Sequence, residues 1–253
     1  MKEKISNEIM EFRVLLRSVP SLLIIFFVLS VCSMNLLANK SLTLPVTWLA
    51  LDAGITVSWF AFLAMDMLTR RFGPKAATQL SILAMLGNLC LCLFFFAGSS
   101  LPGVWGESYV PGSESLINTA LDNTFRGTWY VLAGSSAAFL LSAIVNNFVN
   151  WSIGMAIKRN PSGFGAYAAR SYISTAIGQF TDNLAFALIV SHNFFGWTML
   201  QCVTCALTGM VVELLCEVIF SGIGYRVSSR WEKEDVGKEY LDLRKAAELT
   251  AAQ

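Results

Sequence analysis

Six long apolar runs, at residues 20–37, 45–68, 75–97, 127–157, 168–190 and 197–223, constrain this chain of 253 residues more than any motif in it. About 20 consecutive apolar residues is the length an α-helix needs to cross a hydrocarbon core about 30 Å thick. In lipid every backbone N–H and C=O must find its partner inside the protein, so such runs predict helices and not open strands. The predicted fold is an all-α integral membrane protein with six transmembrane helices. Mean hydropathy of +0.58 and only 14% charged residues exclude a water-soluble enzyme of this size. A net charge of +1 provides no field for neutralising phosphates, so no nucleic acid partner is expected.

Orientation follows from the basic residues, because Lys and Arg accumulate in cytoplasmic loops. With the N-terminus inside, only Lys40 and Arg126 of the 18 basic residues fall outside. The rest gather at the N-terminus, at Arg70, Arg71 and Lys75, at Lys158, Arg159 and Arg170, and in the tail from Arg226 onward. Both termini are therefore expected to be cytoplasmic. The chain divides into a cytoplasmic N-terminal segment (1–19), a transmembrane domain (20–225) with an outer loop (98–126), and a cytoplasmic tail (226–253). The charged segment before Pro20 reads as retained, without the pattern of a cleaved signal peptide.

Trp48, Trp129, Trp197 and Trp151 fall near predicted helix ends, where indole rings sit among headgroups, and Trp59 alone lies near the middle of a span. Within the outer loop, Leu116, Ile117, Ala120, Leu121 and Phe125 have the spacing of a short amphipathic helix. The tail reads as a solvated helix of mixed charge. All six cysteines lie in apolar runs, and the Cys202/Cys205 pair lacks a second ligand pair, so neither metal nor other cofactor is expected. No serine nucleophile elbow and no phosphate-cradling glycine loop occurs, so the chain is not read as an enzyme or as an ATPase.

Charged side chains at the bilayer centre are costly and mark functional sites by default. Asp52, Asp66, Asp182, Glu213 and Glu217 qualify. At ~1.5 Å per residue Asp52 falls roughly 10 Å below the outer face and Asp182 roughly 21 Å above the inner one. Asp66 comes near the inner end of its helix, and Glu213 and Glu217 share one face of the inner half of the last. This predicts a ladder of acids through the bilayer, suited to a polar solute or a proton route; pairing of Asp66 and Glu217 with Arg70, Arg71 or Arg170 is the structural alternative. Small residues at four-residue intervals (Gly134, Ala138, Ser142; Ser174, Gly178) predict close contact between the fourth and fifth helices, bringing Asn146 to the cluster Gln179, Thr181, Asp182 and Asn183.

Two segments resemble a known family. MDMLTRRFGPKAA (65–77) resembles the signature at the end of the second helix in the queuosine precursor transporter family, also called vitamin-uptake-transporter-like, and STAIGQFTDNLAFALI (174–189) resembles its fifth-helix signature. SSAAFLLSAIVNNFVN (135–150) is a weaker match. The resemblance implies import of a 7-deazaguanine base or queuine across the bacterial inner membrane by secondary transport, and points to Asp66, Gly73, Asn146, Gly178, Gln179 and Asp182. This chain departs from the family pattern at Ala143, Glu213 and Gly222, where the family often shows glutamine, lysine and proline.

Within that reading Asp182 is the expected carboxylate for the paired donors of the base, with Gln179, Asn183 and Asn146 beside it. Trp59 is expected to stack on the base, Glu213 to substitute as a reader, and Asp52, Asp66 and Glu217 to serve transport or coupling. The partners expected are a nucleobase-like solute, the lipid bilayer and a second copy of the chain in a homodimer. A substrate-binding subunit of an energy-coupling-factor vitamin importer is the alternative, against which stands the lack of an Ala-x-x-x-Ala pair in the first helix. An intramembrane lipid enzyme comes third, for want of a nucleophile and base.

Overall fold

The computed structural model describes residues 2–106, 112–156 and 164–251; Lys158 and Arg159, and the side chains of Trp151, Arg170 and Glu217, lie outside what it describes. Among the described residues the chain is helical, with one isolated antiparallel bridge between Ser41 and Asp52. The elements are α1 (Lys2–Ser18), α2 (Ser21–Leu37), α3 (Ile55–Phe72), α4 (Pro74–Gly98), α5 (Glu114–Ala156), α6 (Phe164–Phe186), a π-helical turn (Ala187–Ser191), α7 (His192–Phe195), α8 (Met199–Lys233) and α9 (Lys238–Ala251). The long helices α2, α3, α8, α6, α5 and α4 pack in that order as a closed ring, with α4 returning to α2.

Four helices among the described residues are long and apolar enough to cross a membrane: Pro74–Gly98, Glu114–Asn146, Tyr172–Phe195 and Met199–Cys216. A fifth follows if Asn7–Ser18 and Ser21–Leu37, bent by 103° at Val19 and Pro20, form one broken span. The expected count of six is not met by length and composition, for local reasons. The α2 helix has 17 residues, and α3 carries Asp66, Arg70 and Arg71 within 18. Large apolar side chains point outward along the ring, such as Phe94, Ile144, Phe148 and Ile219, each about two-thirds exposed or more. In water that face would be an aggregation hazard; in lipid it is the surface a multi-pass protein must present.

Other boundaries differ from the sequence-based expectation. The second apolar run does not become helical until Ile55, because Asp52 turns back to accept the Gly54 N–H (2.8 Å) and residues 40–42 pair with 51–53. The outer amphipathic stretch is not a separate helix; it is the start of α5, whose 43 residues span ~65 Å at 1.5 Å each, twice the bilayer core.

The tail is a helix, largely exposed as expected, but docked through one face. After α8 the chain reverses at Asp235 and Gly237 and lays α9 against α1. Tyr240 is completely buried there, with Leu15, Leu68 and Phe72 in the same apolar cluster. Glu11 accepts from Lys75 (2.7 Å) and from the Tyr240 hydroxyl (3.4 Å), and Arg244 approaches it to 3.6 Å. The Arg71 guanidinium donates to the Val236 carbonyl at 2.9 Å. Helices α1 and α9 thus form a collar on the end of the ring where α3 meets α4. At that junction Gly73, at φ +88°, stops α3, and Pro74 starts α4 with no N–H to satisfy.

Candidate functional site

Three adjoining cavities run through the ring. The first, about 460 Å³, is lined by Asp52, Ser58, Asp182, Asn183, Asn35 and Ser135 among others. The second, about 510 Å³, shares Asn35, Ser135 and Asp182 with it and adds Phe27, Phe62, Phe139 and the methionines Met65 and Met85. The third, about 370 Å³ and nearer the collar, shares Phe62, Met65 and Phe139 with the second and adds Asp66, Ser142, Asn146, Thr175, Gly178 and Gln179. Shared walls place them side by side: a polar chamber, a mostly apolar one, and a second polar one.

The polar chamber farthest from the collar owes its shape to the segment before α3. Gln201 Nε2 and Thr204 Oγ1, from the first turns of α8, bond the Thr47 and Trp48 carbonyls at 3.0 and 2.8 Å, so the segment is clamped to the ring. Irregular backbone at membrane depth is tolerated where it is buried in protein or lines a cavity, and Asp52 does line one. Gly54 permits this approach: a Cβ there would come 2.6 Å from the Met34 carbonyl oxygen.

Helix α6 supplies a polar face to these cavities. Gln179, Asp182 and Asn183 stand at positions i, i+3 and i+4, which project from one side. The α5–α6 contact expected from the small residues is present, and a Cβ at Gly178 would lie 3.1 Å from Asn146 Cβ. On the other flank Gly209 of α8 makes room for Asn183, whose Nδ2 would lie 2.6 Å from a Cβ placed there. Asn183 donates to Glu213 at 3.0 Å, and the Ser58 hydroxyl donates to the other carboxylate oxygen of Glu213.

The predicted site residues therefore divide. Asp52, Asp182 and Asn183 come together in the first chamber, with Glu213 directly behind Ser58 and Asn183. Of the predicted acids, Asp52 and Asp182 share the first chamber while Asp66 lines the third. Asp66, Asn146 and Gln179 gather separately, in the chamber near the collar. Glu213 is not a free reader: it is 1% exposed and both its oxygens are engaged. Trp59 does not line any of the three cavities; its ring stacks on Phe220 (4.6 Å between centroids, 15°) and its N–H bonds the Thr56 carbonyl. The side chains of Glu217 and Ala143 lie outside the described residues.

Sequence reasoning missed Asn35, which with Ser135 lines both larger cavities. The signal was available for Asn35, the one carboxamide inside the apolar run that becomes α2.

The decisive feature is what these side chains lack. Both polar atoms of the Gln179 amide, Asn146 Oδ1 and Asp182 Oδ1 are buried with no hydrogen-bond partner, and Gln179 is only 1% exposed. A buried polar group without a partner costs about 1–3 kcal/mol, so several in one path mark a surface built to meet a ligand or water. Acceptors and donors set in Phe- and Met-lined space suit recognition of a flat, polar solute.

A family model described as "Putative vitamin uptake transporter" matches residues 52–227, from the acid of the first chamber to the C-terminal part of α8. Searches of curated proteins and of solved structures return no match. The chain belongs to this vitamin uptake transporter family, and its function is transport, not catalysis.

Proposed function

We propose that the chain imports a 7-deazaguanine base or queuine across the bacterial inner membrane, as a secondary transporter with six membrane-crossing helices and both termini cytoplasmic. One observation carries the reading: Asp182, whose Oδ1 has no partner, stands where the polar and apolar chambers meet. A carboxylate there accepts two adjacent donors, the ring N–H and amino group that a deazaguanine offers on one edge. Phe27, Phe62 and Phe139 supply apolar walls for its flat face. The wrong base would leave the acid unpaired and buried, which discriminates far more strongly than a lost methylene. The residues of the collar keep the cytoplasmic end of the ring closed in this view.

Calorimetric titration with queuine and its aminomethyl precursor tests this. Asp182→Asn is expected to weaken binding at least about 100-fold, while Asp52→Asn keeps binding and loses transport. Unchanged affinity in Asp182→Asn would remove the assignment. Uptake by the purified chain alone in liposomes is expected; a requirement for an ATP-hydrolysing partner would favour the energy-coupling-factor alternative.

A further inference from the structure

The chamber nearest the collar is not needed for the contact just described, and its chemistry differs. Gln179 lines it with a primary amide whose donor and acceptor are both unused and fully enclosed, and Asn146 Oδ1 is a second unused acceptor across the α5–α6 contact. Phe62, Met65 and Phe139 are the walls common to this chamber and the apolar one, and they stand between the two polar ends as a septum of flexible and aromatic side chains. Asp182 lines the two larger cavities but not this one.

We infer that this chamber is a second binding station, on the collar side of the septum, for planar heterocycles that present a hydrogen-bond donor and acceptor side by side. The inference rests on the transport reading above. A carboxamide matches such an edge with two parallel hydrogen bonds, as Gln and Asn do when they read bases. The Asp182 carboxylate takes two donors instead. Through the edge that carries the carbonyl, both arrangements claim the same ring N–H, so that edge cannot serve Asp182 and Gln179 at once. The base occupies the stations in sequence, exchanging a charged acceptor for a neutral amide as it passes Phe62 and Phe139. The amide can turn over to suit donor–acceptor edges of either order, so the second station is the weaker and less selective of the two.

The test is equilibrium titration of the purified full chain with 7-deazaguanine, read as stoichiometry and affinity, beside a melting curve of the ligand-free protein. Wild type is expected to take two equivalents, one tight and one weak. Gln179→Leu loses the weak one, keeps the tight one within about two-fold, and melts no lower than wild type, because leucine removes two unpaired polar atoms. Asp182→Asn keeps the weak equivalent alone. A single equivalent in wild type that Gln179→Leu abolishes would overturn the second station and leave one site spanning both residues. Retention of two equivalents in Gln179→Leu would overturn it as well. Asp182→Asn with undiminished tight binding would instead strike the transport reading, and wild type that binds none would remove both.

Discussion

The interior path and the collar both hold polar side chains in buried surroundings, yet they treat them in opposite ways. In the collar Glu11 is engaged by Lys75, Tyr240 and Arg244, Lys75 reaches Glu8 as well, and Arg71 ties the chain after α8 to α3. In the path Gln179, Asn146 and Asp182 each keep a buried atom unpaired. Paired polar groups hold an architecture; unpaired ones store recognition at a cost to stability. In the proposed reading the collar is a clasp and the path a binding surface, and each statement can be broken separately.

The largest expected effect lies in the clasp. Tyr240→Ala empties a fully buried aromatic position and is expected to cost about 3–5 kcal/mol, read as a fall in melting temperature, with substrate affinity of the surviving folded protein unchanged. Next, Glu11→Ala leaves Lys75 with Glu8 alone and removes the partner of Arg244; it is expected to cost about 1 kcal/mol, again without change in affinity. A loss of affinity comparable to that in Asp182→Asn would dissolve the distinction between the regions. In the path the sign reverses: Gln179→Leu is expected to raise stability by about 1 kcal/mol while transport is lost, as counterflow in liposomes would report.

The smallest effect is a pH dependence confined to the clasp. Burial first, and the Glu11 charge second, push the Tyr240 hydroxyl up to about 12, above the value near 10 of an unfolded chain. The folded state then holds this proton more tightly, so its contribution is complete below about pH 10 and fades as pH rises from there through about 12. Alkaline melting curves of Tyr240→Phe are expected to lack that component of the slope.

Much of the ring was legible in the sequence, because long apolar runs leave a chain in lipid no alternative to helices. The α5–α6 contact was legible too, since Gly178 leaves space that Asn146 fills. Three things were hidden for physical reasons. The start of α3 at Ile55 depends on a side-chain bond from Asp52 to the Gly54 N–H and on clamping by Gln201 and Thr204, more than 140 residues away. The role of Glu213 depends on Ser58 and Asn183 meeting it from two other helices. Trp59 has ordinary span position, and only the packing of α3 on α8 reveals that Phe220 takes its face. Depth along a helix can be counted from sequence; the direction in which a side chain faces requires the neighbours.

The most direct test of the central claim is the melting-temperature shift that queuine produces in wild type, Asp182→Asn and Glu11→Ala, because a ligand that binds only the folded state raises its apparent stability by mass action. Wild type and Glu11→Ala are expected to show the same upward shift from different starting temperatures, and Asp182→Asn almost none. Equal shifts in wild type and Asp182→Asn, or loss of the shift in Glu11→Ala alone, would contradict the division between a binding path and a structural clasp.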